Sequence, residues 1–125
     1  MQINLPYFDV ILSRLECGDP DFQQAFRRHI HFGAWEEPDK ASDDLEETAE
    51  AMERLCQHLI QLADVRDGQD VLDVGCGFGG TLASLDEQFS RMRLTGLNID
   101  ERQIEVARQR ARPQPGNQLE FVVGD

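Results

Sequence analysis

The chain of 125 residues predicts an α/β fold with a parallel sheet, on three observations. From residue 71 onward, short apolar runs alternate with amphipathic stretches in the order strand, helix, strand, helix, strand. A glycine-rich turn joins the first strand to the helix after it. Three amphipathic helical stretches precede this series, so elements of both periods share one chain. That order is the grammar of parallel strands joined by right-handed crossovers.

The elements follow in sequence. Pro6 to Glu16 is predicted helical, with Phe8, Ile11, Leu12 and Leu15 on one face and Gly18 just past the end. Asp19-Pro20 starts a second helix, since Asp can cap and Pro fits the first helical position. This helix is expected to carry Phe22, Phe26 and Ile30 inward and to break at Gly33. A loop from His31 to Ala41 follows. Ser42 is the expected cap of a long helix whose stripe is Leu45, Ala49, Met52, Cys56, Leu59 and Ala63. After the turn Arg66-Asp67-Gly68-Gln69, Val71-Leu72-Asp73-Val74 is a short buried strand. Thr81 to Phe89 is a helix with Leu82, Leu85 and Phe89 inward. Leu94 to Ile99 is a second strand, Glu101 to Ala111 a helix, and Leu119 to Val123 a third strand ending at Gly124-Asp125.

Composition excludes several classes. Twenty-four acids against twelve bases give a net charge of -12. A nucleic-acid binder needs clustered positive charge, and so does a protein docking on anionic membranes, so neither partner is expected. Cys17, Cys56 and Cys76 are odd in number and without a CxxC pair, so no disulfide framework or metal site is indicated. The first residues lack the basic start and apolar run of a secretion signal, and a reducing cytoplasm is the expected location. His29 and His58 are expected at the surface or the core boundary.

The chemistry concentrates in Gly75-Cys76-Gly77-Phe78-Gly79-Gly80. Glycines between a strand and a helix let a ligand approach the backbone and meet helix N-terminal amides. The GxGxxG spacing of Gly75, Gly77 and Gly80 would also suit a dinucleotide, as in an NAD(P)-dependent oxidoreductase. Asp73, two positions before the first glycine, would repel a pyrophosphate and suit a ligand with an ammonium group. A half-domain that keeps the loop but serves as a non-catalytic partner module is a third reading.

Val71 to Gly80 resembles the first motif of the Rossmann-like S-adenosylmethionine-dependent methyltransferases. His31-Phe32-Gly33-Ala34-Trp35 is similar to the H-x-G-x-W segment that precedes that motif in their small-molecule branch. Leu94 to Asp100 looks like the second strand and Phe121 to Asp125 like the third. The resemblance implies S-adenosylmethionine as cofactor, with Asp73 holding its amino group and Gly75, Cys76 and Gly77 admitting its backbone. It places Asp125 at the adenine amino group, with Ile99 beside the cofactor. His31 is the candidate for the methionine carboxylate or the acceptor, and Trp35 packs in the lid or meets the cofactor. One departure stands out: the usual carboxylate for the ribose hydroxyls is Asn98 here. A cyclopropane-synthase-like branch uses a polar residue there with a Gln one helical turn on, and Gln103 has that offset.

The resemblance further implies a helical lid over residues 1–41 and the first half of the cofactor domain over residues 42–125, with only three strands of a larger sheet. The expected reaction is transfer of the sulfonium methyl to an O, N or C atom of a small-molecule acceptor. The chain alone is expected to be inactive, with no catalytic base nameable, and to self-associate through the exposed sheet edge.

Overall fold

The computed structural model describes residues 6–125, so the first five residues of the expected lid lie outside the described residues. Helices α1 (Pro6–Glu16), α2 (Pro20–Ala25) and α3 (Leu45–Leu62) come first. The α/β series follows as β1 (Asp70–Val74), α4 (Gly80–Gln88), β2 (Arg93–Asn98), α5 (Glu101–Arg110) and β3 (Gln118–Val123). The strands pair in parallel in the order β1-β2-β3. The fold class is the one the sequence predicts.

Local chemistry fixes the helix starts. Asp19 accepts from the Asp21 and Phe22 amides, with Pro20 in the first turn of α2. Asp100 accepts from the Arg102 amide and so caps α5. For α3 the cap is Asp44, which accepts from the Glu47 amide at 2.9 Å. Ser42, the expected cap, instead accepts from the Asp44 amide and donates to the Glu47 carboxylate. Ser42 is a preceding turn residue, and the acid two positions on takes the cap.

One core joins the sheet to three helices. Cys56 and Ile60 of α3, Leu82 and Leu85 of α4, and Ile104 and Ala107 of α5 meet Leu94 and Phe121. Burying each large aliphatic side chain contributes roughly 1.5–3 kcal/mol. The expected stripe of α3 bends away at its end: Leu59 and Ala63 are exposed and Ile60 is buried. A second cluster packs Ile11 and Leu12 of α1 against Phe78 of the glycine turn, flanked by Phe22, Phe26 and Ile30. Arg102 of α5 reaches Asp9 of α1 at 2.6 Å, tying the N-terminal helices to the α/β unit.

Two further expectations are corrected. The second helix ends at Ala25, so Phe26 is its cap and Ile30 lies beyond it. The carbonyls of Phe26 and Arg27, which would continue a helix, accept from the Arg110 guanidinium at 3.0 and 3.1 Å. Strand β1 is not buried on both faces: Leu72 is 61% and Val74 71% exposed. Residues alternate across a strand, and the helices cover only the face of Val71 and Asp73. Among the described residues, nothing covers the other face.

Candidate cofactor site at the strand tips

The glycine turn leaves β1 on positive-φ backbone, at +79° for Gly75, +55° for Gly77 and +78° for Gly79. The Gly75 and Cys76 amides both donate to the Leu97 carbonyl, at 2.8 and 3.1 Å, which pins the turn to the end of β2. The Gly77 amide has no backbone partner outside the helices and strands among the described residues. At Gly75 a side chain would meet nothing within 4 Å, so its outer side is open space. Gly77 is closely covered, with Ile30 at 3.0 Å and Gln103 Oε1 at 3.8 Å from where a methyl would stand.

Asp73 sits on the covered face of β1, opposite Gly96 of β2. It is partly exposed, and no side-chain hydrogen bond reaches its carboxylate among the described residues. Burial pushes its pKa above the usual carboxylate range, while the nearby His31 pulls it down. A half-buried carboxylate without a donor, beside open backbone, is suited to a cationic ligand. Cys76 is buried against Gly96, and burial pushes its thiol up to about 11. It is packing, not a nucleophile.

Asn98 and Gln103 come together as the sequence predicts, both buried. Asn98 Nδ2 donates to Gln103 Oε1 at 3.2 Å, and Asn98 Oδ1 accepts from the Asp100 amide at 3.1 Å. The capping role lies with Asp100, whose carboxyl Arg102 holds well below its usual range through hydrogen bonds. Ile99 is exposed at the tip of β2, and Asp125 is exposed just after β3. The Gly124 amide donates to the Asn98 carbonyl at 3.0 Å, so Asp125 stands next to the Asn98 strand tip.

The segment before α3 runs along the glycine turn. A methyl on Gly80 would come within 2.4 Å of His29 Nδ1, Ile30 covers Gly77, and His31 acts on Asp73. The rings of His29 and His31 make a tilted contact, with centroids 4.7 Å apart and planes 43° apart. Trp35 packs its ring against Gly33, and its buried indole N–H has no partner among the described residues.

His29 corrects an expectation, since it is only 4% exposed. Its Nε2 meets Glu53 Oε2 at 2.7 Å, and Ser84 and Gln57 donate to the other Glu53 oxygen at 3.0 and 2.6 Å. Burial lowers the His29 pKa. His29, Glu53 and Cys56 bring their donor atoms within 4.8 Å of one another. Both Glu53 oxygens are already engaged, and the Arg28 guanidinium stands 3.7 Å away, so the donor set does not suit a cation. The polar network of Glu53 and Ser84 was missed from sequence. Its one signal is that Glu53 and Ser84 each adjoin or interrupt an apolar stripe.

Comparison with known proteins agrees with this geometry. Residues 71–125 match a family model described as a methyltransferase domain. Residues 71–125 thus carry a methyltransferase domain. The chain is 38% identical over 87 residues to methyltransferase GfsG of Streptomyces halstedii, covering 70% of this chain and 30% of that protein. It is 37% identical over 99 residues to O-methyltransferase cnsE of Penicillium expansum, covering 78% and 34%. The chain thus spans about a third of the length of these curated relatives. A solved geranyl diphosphate C-methyltransferase from Streptomyces coelicolor A3(2) superposes with a TM-score of 0.65 at 19% identity, over all of this chain and 50% of that one. That likeness supports the fold. No helix among the described residues is long and apolar enough to cross a membrane.

Proposed function

We propose that this methyltransferase chain binds S-adenosylmethionine at the tips of β1 and β2 and belongs to an enzyme that methylates an O, N or C atom of a small molecule. The observation that carries the reading is Asp73: a half-buried carboxylate with no donor, beside the open Gly75. The relatives support it, one being named an O-methyltransferase and another a C-methyltransferase solved with S-adenosyl-L-homocysteine and geranyl diphosphate. The dinucleotide reading loses ground, since that carboxylate would face a pyrophosphate. The test is calorimetric titration with S-adenosylhomocysteine and then NADH. Binding of the first alone is expected; binding of NADH alone would overturn the reading.

Bound there, the cofactor would supply a sulfonium methyl already activated for in-line displacement. The chain's residues would orient it and exclude water. Asp73 pairs with the ammonium, and Gly75, Cys76 and Gly77 give the backbone passage. Asp125 accepts from the adenine amino group, with Ile99 flanking it. His31 faces the methionine carboxylate or the acceptor. Trp35, packed on Gly33, serves the segment before α3, and residues 1–41 act as the lid on the 42–125 unit. The three free cysteines support a cytoplasmic setting.

Asn98 and Gln103 divide the ribose hydroxyls through the N–H groups left over after Asn98 donates to Gln103 and Gln103 donates to Asp100. Asn98→Ala and Gln103→Ala are each expected to cost ~1 kcal/mol in cofactor affinity, non-additively because they share a hydrogen bond. Asn98→Asp is expected to weaken binding. It removes the donor to Gln103 and sets a second buried carboxylate beside Asp100. Titration of the four variants with S-adenosylhomocysteine checks this, and a Gln103→Ala chain that binds like the wild type would refute the division.

The uncovered apolar face of β1, itself an end strand of the sheet, supports self-association of the chain at that strand. Leu72→Lys with Val74→Lys is expected to shift sedimentation toward the monomer. Unchanged sedimentation of a monomeric parent chain would exclude it.

A further inference from the structure

Two consecutive residues before α3 cover two positions of the glycine turn, His29 at Gly80 and Ile30 at Gly77, and His31 follows them. The His29 and His31 rings meet at a 43° tilt with their centroids 4.7 Å apart. His31 Nδ1 lies 2.7 Å from the Phe32 carbonyl, and the His29 ring is held more deeply. His29 is buried and its Nε2 meets Glu53 of α3 at 2.7 Å. Glu53 is itself immobilised by Gln57 one turn on, by Ser84 of α4, and by Arg28 at 3.7 Å. Arg28 in turn holds Ser84 at 3.1 Å and Glu87 at 2.5 Å. The network thus ties α3, α4 and the 28–31 segment together behind the glycine turn.

We propose that Glu53 is a positioning residue for the cofactor site: through His29 it holds the His31 ring and keeps Ile30 against Gly77. The proposal rests on the cofactor reading above. Glu53 touches no reacting group. It acts because a hydrogen-bonded His29 ring is the surface on which the His31 ring rests, and because Gly80 leaves that ring no room to shift inward. Buried polar networks of this kind fix one arrangement when every member is satisfied.

The test uses imidazole proton NMR and calorimetry on the full chain, well below its melting temperature. The three histidines give three resolved ring signals, with exposed His58 as internal control. In Glu53→Ala, the His29 and His31 signals are expected to move while His58 stays. The S-adenosylhomocysteine dissociation constant should rise about tenfold, the scale of one hydrogen bond to a charged group. Glu53→Gln keeps an oxygen for His29 and is expected to restore affinity to within about threefold of wild type. Ser84→Ala, a smaller change, is expected to move the same two signals by less. Unmoved His31 signals in the folded Glu53→Ala and Ser84→Ala variants would overturn the proposal, as would unchanged affinity in Glu53→Ala. Should the wild type bind no S-adenosylhomocysteine, the cofactor reading fails, and the His31 signals still decide the positioning.

Discussion

Replacing Asp73 by Asn is expected to weaken S-adenosylhomocysteine binding by ~1–3 kcal/mol, the range of a charge-assisted hydrogen bond. The side chain keeps its size and its place opposite Gly96, so the loss is one of charge. A pH dependence follows with a definite sign. The ammonium needs the ionised carboxylate, and burial raises the pKa of Asp73 in the free chain. Affinity should therefore fall on acidification from a pH above the ordinary carboxylate range, and Asp73→Asn should flatten that fall. Calorimetry across pH checks both, and an unchanged affinity would remove Asp73 from the site.

Gly79→Ala should be strongly destabilising, on backbone and packing grounds together. Gly79 has φ +78°, and the added carbon would stand 2.7 Å from the Phe121 ring. Left-handed backbone costs an alanine ~1 kcal/mol or more, and overpacking adds roughly 1–3 kcal/mol. Together these lower the melting temperature by on the order of 10 °C for a domain of this size. Gly68 supplies the control: its φ is +81° with nothing within 4 Å, so Gly68→Ala bears only the backbone strain. Thermal melts of the two variants measure the packing part by difference. Equal melting temperatures would show that Phe121 gives way.

The α/β order was legible because period and punctuation agree: apolar runs, the glycine turn, and acids at helix starts all point the same way. The residues at the strand tips were legible for the same reason, since Asp73, Asn98 and Gln103 interrupt apolar patterns at places a crossover brings together. The end of α2 was not. Phe22, Phe26 and Ile30 have helical spacing, and only the Arg110 guanidinium, more than eighty residues away, takes the carbonyls that would continue the helix. Nor was the exposure of Leu72 and Val74, because an apolar run does not say which of its faces a helix covers. His29 and Glu53 were opaque for a related reason. A buried hydrogen-bonded histidine and a solvated one look alike in sequence, and the partner of His29 lies 24 residues away.

The central claim is that the carboxylate at the tip of β1 reads the ammonium of the cofactor. Calorimetric titration with S-adenosylhomocysteine and with its analogue lacking the amino group, each against wild type and Asp73→Asn, tests it most directly. Wild type should prefer the amino form by about tenfold or more, and Asp73→Asn should bind both forms nearly alike. An Asp73→Asn chain that keeps the full preference would contradict the claim.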